Sequence, residues 1–293
     1  MGADLVQAFP AARRTFAEAD DALGMGLSRL CCEGPEETLA LTEHAQPAIL
    51  TASLAAYRVL EETAGLAPRA LAGHSLGEWS ALVAAGSLGL ADAVRAVRER
   101  GRLMQAAVPV GEGGMAAVLG LDVDAVAALC REAASGDVLA PANLNGGGQV
   151  VVAGRAAAVD RLVALVAAKG GGRAQRLTVS APFHCALMAP AADGLARYLQ
   201  TVRFEAPRVP VVTSVDARLV TGAGELRDLL VRQVTAPVRW EETARTLATG
   251  ATLALEVGPG RVLSGLFRRI VPALATVPAG DVAGIAKARE ALA

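Results

Sequence analysis

The sequence predicts an α/β fold into which a smaller α+β unit is inserted. The chain has 293 residues, and 53% of them are hydrophobic against 19% charged, which is enough to bury a large core. Aromatic residues make up only 3%, so Ala, Val and Leu form this core, as suits layered helices and sheet. Helical patterns also alternate with short apolar runs that are typical of strands. Glycines border one stretch that has its own order of strands and helices.

The first part of the large domain is predicted to be mainly helical. Proline is favoured in the first turn of a helix, so Gln46-Pro47 indicates the start of one. A short apolar run before Gly73 is typical of a strand. The predicted helices lie at residues 4–21, at 36–64 as two helices with the second starting near Gln46, at 76–85 and at 90–107, and the strand lies at 69–72.

The stretch from residue 111 to 176 reads as a compact unit of its own. Its predicted strands and helices lie at 115–119, 123–133, 149–153 and 156–168, and Gly170-Gly171-Gly172 closes it. A β-α-β-α-β order with glycine-rich borders predicts a ferredoxin-like subdomain, 111–176, inserted into a large domain of residues 1–110 and 177–293. The large domain is expected to resume with strands at 174–179, 209–214 and 252–257 and helices at 186–201, 224–234 and 240–249.

Composition excludes several classes of function. A net charge of −1 and a pI near 6.3 leave no excess of basic residues for nucleic-acid binding. The four cysteines have no metal-ligand spacing and are expected to be reduced, so no metal is predicted. There is no apolar run of about 18 residues and no signal-peptide layout. The protein is therefore expected to be soluble and cytoplasmic, with no membrane partner.

Gly73-x-Ser75-x-Gly77 lies between a predicted strand and a predicted helix. In such a nucleophile elbow the glycines relieve crowding and the serine hydroxyl projects outward. The amide of Leu76 then lies at a helix N-terminus, where backbone donor and helix dipole both stabilise an oxyanion. We therefore predict that Ser75 is a nucleophile. The alternative is a structural turn bracketed by glycines.

A nucleophilic serine needs a general base, and the chain has only three histidines. The sharp turn should direct His74 away from the serine oxygen, although it could line the pocket. His44 precedes a predicted helix in a polar stretch, where a surface position is expected. His184 follows a predicted strand and the turn Ala181-Pro182-Phe183, at the sheet edge where open α/β sheets carry their sites. His184 is therefore the predicted base, with a structural histidine as the alternative.

A third group should accept the other imidazole proton. Asp216 and Glu256 both lie at or after the ends of predicted strands. A main-chain carbonyl would serve equally well, and the residues alone do not choose among the three.

Arg100 falls on the apolar stripe of its predicted helix, together with Val94, Val97 and Met104. A guanidinium on a buried face needs a carboxylate or a comparable acceptor. If that acceptor is the substrate, the acyl group is dicarboxylic. The alternative is an internal salt bridge to Asp or Glu.

Several motifs, in order along the whole chain, resemble those of the malonyl-CoA:acyl carrier protein transacylase family. This family includes the freestanding acyltransferases of fatty-acid and polyketide synthesis. The motifs are Gln46-Pro47-Ala48-Ile49-Leu50, Gly73-His74-Ser75-Leu76-Gly77-Glu78, Arg100-Gly101-x-x-Met104-Gln105, Asn143-x-Asn145 leading to Gln149-Val150-Val151, His184-Cys185-Ala186-Leu187-Met188, and Glu256-Val257-Gly258-Pro259-Gly260.

The resemblance implies an α/β-hydrolase-like core with a ferredoxin-like insertion and a malonyl transfer through Ser75. His184 would be the base, oriented by the main-chain carbonyl of Gln233, and Arg100 would bind the malonyl carboxylate bidentately. The resemblance therefore favours Asp216 and Glu256 less as the group that orients His184. The remaining substrate-binding residues would be Leu76, His74 and Met104. Malonyl-CoA and an acyl carrier protein would be the substrates, among fatty-acid or polyketide synthase components, without a metal or redox cofactor.

Family members begin with a strand and a loop of the Phe-Pro-Gly-Gln-Gly-Ser-Gln type, which supplies a core strand and the second oxyanion donor. Met1-Gly2-Ala3-Asp4-Leu5 resembles the segment just after that loop. The expectation is that Met1 is an internal methionine taken as the start, or that the sequence is truncated, and that the chain as written lacks this strand and donor.

Two rival functions are an acyl hydrolase of the same fold and a non-catalytic module that binds carrier proteins. Arg100 argues against the hydrolase, which has no use for a carboxylate clamp. The presence of Ser75, His184 and Arg100 together argues against the binding module. The motifs do not choose between fatty-acid and polyketide synthesis, or between malonyl and methylmalonyl groups.

Overall fold

A computed structural model describes all residues from 1 to 293. The helices are α1 (Ala3–Ala8), α2 (Pro10–Leu23), α3 (Leu27–Glu33), α4 (Glu36–Leu39), α5 (Thr42–Ala64), α6 (Leu76–Ala84), α7 (Leu90–Ala106), α8 (Val123–Ala134), α9 (Ala156–Lys169), α10 (Ala189–Leu199), α11 (Leu226–Thr235), α12 (Trp240–Ala248), α13 (Val262–Ile270) and α14 (Val282–Leu292). The strands are β1 (Leu71–Ala72), β2 (Gly113–Leu119), β3 (Leu139–Gly146), β4 (Gln149–Arg155), β5 (Arg173–Arg176), β6 (Val211–Val212), β7 (Leu219–Val220), β8 (Leu253–Glu256) and β9 (Ala275–Pro278). None of the helices combines the length and the apolar character that a bilayer crossing requires.

The N-terminal helices follow the predicted pattern with two corrections. The predicted helix over 4–21 is interrupted at Phe9, because Pro10 has no N–H and instead starts α2 at its first position. The helix predicted to start near Gln46 begins at Thr42, so Pro47 lies inside α5. The predicted start was therefore wrong by about one turn. The helix can begin at Thr42 because Pro47, near its N-terminus, removes only one interior hydrogen bond.

The large part of the molecule contains two short sheets. In one, β1 pairs with β6 in parallel, with Leu71 opposite Val211, and β7 pairs with β6 in the antiparallel sense. In the other, β8 and β9 are parallel. The strands predicted at 209–214 and 252–257 are confirmed with shorter bounds, whereas β7, β9, α13 and α14 are additional elements.

The inserted stretch has the order β2-α8-β3-β4-α9-β5 and one antiparallel sheet with the strand order β3-β4-β2-β5. Strand β3 was not predicted, because Pro141 and the glycines at 146–148 hide its alternation. The strand predicted at 174–179 for the large domain was also placed wrongly. Residues Arg173–Arg176 form β5 at the edge of the small sheet, where Ala116 of β2 lies opposite Arg176.

Each part of the molecule has its own core. A cluster of 46 buried residues, largely from α2, α5, α6, α7, α10 and α11, fills the large part, and a cluster of 13 fills the space between the small sheet and its helices. A third cluster joins the other face of the small sheet to Cys185, the residue after His184. The small sheet therefore supports the loop that carries His184.

A cleft of about 1060 Å³ lies between β1 and β8 and reaches the elbow at Gly73 and Leu76. Both strands are outermost in their sheets, so each presents to the cleft an edge that pairs with no strand. The cleft is lined mainly by hydrophobic residues.

Candidate active site

Ser75 occupies the turn between β1 and α6 with backbone angles φ 50° and ψ −103°, which a non-glycine residue rarely adopts. The turn requires glycine at position 73, because a Cβ there would lie 1.9 Å from the carbonyl carbon of Gly77. A Cβ at Gly77 would meet nothing within 4 Å. The prediction that both glycines relieve crowding was therefore right for Gly73 and wrong for Gly77.

Leu76 is the first residue of α6. Its N–H has no acceptor within the helix and lies beside the serine, where the helix dipole also favours negative charge. The arrangement can donate one hydrogen bond to an oxyanion that forms at Ser75.

The Ser75 hydroxyl lies 2.7 Å from Nε2 of His184. His184 is 4% exposed and has a φ of 60°. Its Nδ1 lies 2.8 Å from the main-chain oxygen of Gln233. A carbonyl oxygen only accepts, so Nδ1 carries the proton and Nε2 of the neutral ring is free to accept the serine proton. Burial, and after it the nearby charge of Arg100, lower the pKa of His184 to about 3.

The two carboxylates considered as partners of His184 lie elsewhere. Asp216 pairs with Arg232 at 2.9 Å. Glu256 accepts from the backbone N–H groups of Leu263 and Ser264 at 2.9 and 2.7 Å, at the start of α13. Neither carboxylate hydrogen-bonds to the imidazole, whose Nδ1 instead meets the main-chain carbonyl of Gln233.

Arg100 is 2% exposed and points its guanidinium at the serine. Nη2 donates to Ser75 Oγ and to Gln233 Oε1, both at 3.0 Å, and Nη1 donates to Gln46 Oε1 at 2.7 Å. Nε is buried without a partner. Burial lowers the pKa of Arg100 to about 10, and the charge of Glu78 opposes this effect.

The alternative considered for Arg100, an internal salt bridge, is absent, since none of the ion pairs in the structure includes it. All three of its acceptors are neutral. The guanidinium therefore keeps a full positive charge and a spare donor beside Ser75.

His74 turns away from the serine oxygen. Its Nε2 lies 2.9 Å from Oδ1 of Asn145, on β3 of the small sheet, and its ring centroid lies 5.6 Å from that of Trp240. Burial lowers the pKa of His74. His74 lines the cleft and links the elbow to the small sheet.

Met104 and His44 are placed differently from the other candidates. Met104 is 1% exposed, and its sulfur accepts a weak hydrogen bond from Gln46 Nε2 at 3.9 Å, so it supports an Arg100 partner from the core. His44 was expected at the surface before a helix. Instead it is half-buried within the first turn of α5, with Nδ1 unpartnered, because the helix begins earlier than predicted.

Residue-by-residue reasoning missed the side chains that surround Arg100. Glu78 is 1% exposed and accepts from the side chain of Gln233 at 2.6 Å and from the backbone of Ser214 at 3.0 Å. A usable signal was present, since Glu78 is the only charged residue of the mainly apolar helix Leu76–Ala84. No group of three or more His, Cys, Asp or Glu side chains lies close enough together to hold a metal ion.

Similarity to known proteins covers almost the entire chain. The acyl transferase domain family matches residues 1–287. The malonyl CoA-acyl carrier protein transacylase of Escherichia coli K12 is 50% identical over 291 residues, which are 99% of this chain and 94% of the relative. The enzyme of that name from Bacillus subtilis 168 is 44% identical over 283 residues, 96% of this chain and 89% of the relative.

Solved structures of similar proteins have the same fold. The malonyl CoA-acyl carrier protein transacylase of Coxiella burnetii superposes with a TM-score of 0.96 at 41% identity, covering 100% of this chain and 93% of that one. A malonyl-transacylase solved in complex with a type II PKS acyl-carrier protein gives a TM-score of 0.96 at 48% identity, covering 99% and 94%.

A serine hydroxyl bonded to a neutral histidine, at a strand-to-helix turn, is the arrangement of enzymes that carry acyl groups on serine. The length and the sequence identity of the matches then identify the family within that class of enzymes. The chain belongs to the acyl transferase family.

Proposed function

We propose that this protein transfers a malonyl group from coenzyme A to the phosphopantetheine thiol of an acyl carrier protein, through a covalent ester on Ser75. One observation carries the choice of acyl group: the unpaired guanidinium of Arg100 lies 3.0 Å from the Ser75 oxygen. A carboxylate on the acyl chain would satisfy that charge. The names of the relatives, all malonyl CoA-acyl carrier protein transacylases, point to the same substrates.

In the first half-reaction, Ser75 Oγ attacks the thioester carbonyl carbon while its proton passes to Nε2 of His184. The oxyanion accepts a hydrogen bond from the Leu76 N–H. The C–S bond then breaks, coenzyme A leaves as the thiol with the proton that His184 returns, and the acyl group stays on Ser75. The 2.7 Å contact between Oγ and Nε2 supports this proton path.

In the second half-reaction, the carrier-protein thiol gives its proton to His184 and attacks the serine ester. The C–O bond breaks, Ser75 takes the proton back, and the malonyl thioester leaves on the carrier. The main-chain oxygen of Gln233 holds the imidazole in one tautomer through both steps, which the 2.8 Å contact with Nδ1 supports. A thioester is already activated, so these residues need no cofactor.

The proposed division of the chain follows its two cores. Residues 1–110 and 177–293 would form an α/β-hydrolase-like part, and 111–176 a ferredoxin-like insertion. The β-α-β-β-α-β order and antiparallel sheet order β3-β4-β2-β5 support the second assignment. His74, from the large part, and Asn145, from the small part, meet at the proposed site.

Intact-mass measurement tests the function. Incubation with malonyl-CoA should add about 86 Da, the mass of one malonyl group, to the protein. Ser75→Ala should abolish the adduct, and Ser80→Ala, which changes a serine one turn further along α6, should retain it. Addition of a phosphopantetheinylated carrier protein should remove the adduct and malonylate the carrier. Rapid release of free malonate without transfer would instead identify a hydrolase.

A further inference from the structure

We propose that Glu78 is a positioning residue that keeps the Arg100 guanidinium free for a substrate carboxylate. It does so by fixing the side-chain amide of Gln233, which stands between the two charged groups. The inference rests on the proposed function, since it assigns how the site presents its cation to a dicarboxylic acyl group.

Glu78 joins three parts of the site. It lies in the first turn of α6, three residues after the nucleophile, and its Oε2 accepts from Gln233 Nε2 at 2.6 Å and from Ser214 N at 3.0 Å. Gln233 lies in the last turns of α11 and is fully buried. One carboxylate therefore ties the elbow helix to the end of β6 and to the residue that orients His184.

The Gln233 amide can take only one of its two orientations. Its Nε2 donates to Glu78 and, at 3.1 Å, to the main-chain oxygen of Ser75, whereas its Oε1 accepts from Arg100 at 3.0 Å. A flipped amide would set its oxygen against two acceptors and its NH₂ group against the guanidinium. The anion of Glu78 on one side and the cation of Arg100 on the other thus hold the oxygen toward Arg100.

The amide also separates the two charges. Glu78 is the carboxylate whose charge acts on Arg100, yet it forms no ion pair with it. A direct pair would occupy the fork of the guanidinium with an internal carboxylate, and a substrate carboxylate would have to displace it. Glu78 therefore compensates the buried positive charge without using its donors.

The role of Glu78 is tested in a Ser75→Ala background, where ligand binding is measured without acyl transfer. Glu78→Gln removes the anion. We expect the ratio of the Kd for acetyl-CoA to that for malonyl-CoA to fall roughly tenfold, the effect of weakening one charge-assisted hydrogen bond. Glu256→Gln is the control, because Glu256 also accepts two N–H groups, both of them from the backbone, but lies away from Arg100. Its Kd ratio should equal that of the parent.

The sharper test exchanges the two side chains. Glu78→Gln with Gln233→Glu keeps the net charge and the chain lengths but puts the carboxylate directly against Arg100. The malonyl preference should then fall by roughly 100-fold, because Arg100 forms an ion pair with the carboxylate introduced at position 233 instead of with the substrate. The melting temperature should also fall, because that carboxylate sets an oxygen against the main-chain oxygen of Ser75, so binding is measured well below it, where the protein is folded. Calorimetry measures the Kd values.

An unchanged preference in the exchanged protein would overturn the role of Glu78, as would an equal weakening of both ligands by Glu78→Gln. A parent protein without any preference for malonyl-CoA would also overturn it. The proposed function is tested separately, because failure of the unmodified protein to malonylate a carrier protein contradicts that function whatever the binding ratios are.

Discussion

At the scale of single residues, the charge of Arg100 separates a malonyl transferase from an esterase with the same serine and histidine. A guanidinium with three neutral acceptors and a buried, unpartnered Nε is stabilised further by an incoming carboxylate. An acetyl group cannot supply this interaction. Selectivity is therefore expected to depend on this one side chain, and the proposed chemistry on Ser75 and His184.

Arg100→Met should consequently remove the selectivity more than the chemistry. We expect kcat/KM for malonyl-CoA to fall by roughly 100-fold or more, the usual effect of losing one partner of a buried charge pair. The value for acetyl-CoA should stay the same or rise. Arg102→Met is the matched control, since Arg102 lies on the exposed face of α7 and pairs with Glu99. Equal losses for both thioesters in Arg100→Met would contradict the clamp.

The depressed pKa of His184 predicts an unusual pH profile. A base with an ordinary histidine pKa near 6.5 would lose most of its activity by pH 5.5. Since burial and Arg100 lower the pKa of His184 to about 3, the ring stays neutral in this range. The single-turnover rate of acyl-serine formation should therefore be flat from pH 7.5 down to about pH 5. Rapid-quench mass spectrometry measures it, and a half-maximal rate near pH 6.5 would contradict this assignment.

The sequence predicted the residues of the proposed chemistry better than the residues that contact them. Ser75 was indicated by its glycine-flanked turn, His184 by its position after a predicted strand, and Arg100 by its place on an apolar stripe. Those signals are local. The network of Glu78, Gln233 and Ser214 depends on contacts between residues up to 155 positions apart, which a spacing pattern along the sequence does not contain.

At the scale of elements, the elbow is the segment with the strictest backbone requirement. Gly73→Ala should strongly destabilise the protein, by about 3 kcal/mol or more, because its Cβ would overlap the backbone at Gly77. Gly77→Ala should be neutral or slightly stabilising, by up to about 1 kcal/mol, since its Cβ enters open space in a helix. Urea unfolding of the two variants measures the difference, and similar stabilities would disprove the steric account.

Long amphipathic helices were predicted well, and several short strands were not. Helix α7 has a clear apolar stripe over 17 residues, whereas β7, which was missed, has two residues. Strands β1 and β6 are equally short and were predicted only as parts of longer apolar runs. A two-residue strand has no periodicity to detect and exists only through its neighbours. The same reason explains β5, whose residues Arg173–Arg176 are polar and join the small sheet only by pairing with β2.

At the scale of the whole molecule, the proposed site lies where the two cores meet. The large core supplies the serine and the arginine, and the small sheet supports the histidine loop and supplies Asn145. Strand β3 also pairs locally with Val238, five residues after Gln233. Because the site is shared, two titratable imidazoles lie between the parts, His184 buried and His74 half-buried. Their protonation is thereby linked to the stability of the whole fold.

Acid should therefore destabilise the protein through these two histidines. Both have folded-state pKa values below their unfolded value near 6.5, so the unfolded chain binds protons that the folded chain does not. Their stabilisation is complete above pH 6.5 and is lost as the pH falls through the folded-state pKa of each ring, which for His184 is about 3. Each contributes a slope of about 1.4 kcal/mol per pH unit where only the unfolded form is protonated. Burial raises the folded-state pKa of Glu78 above its unfolded value of 4.5. The stabilisation from Glu78 is therefore lost as the pH rises above 4.5, in the opposite direction to that from the histidines.

The double change His74→Gln with His184→Gln should isolate the histidine contribution. Between pH 6 and pH 5, the free energy of unfolding should fall less steeply than in the unmodified protein, by at least about 1 kcal/mol per pH unit, which is the share of His184. Urea unfolding at several pH values gives both slopes. His184→Gln alone should recover that share, and His74→Gln should change the slope in the same direction. Parallel slopes would mean that the imidazoles take up protons in the folded state, which would contradict the neutral base on which the proton path from Ser75 depends.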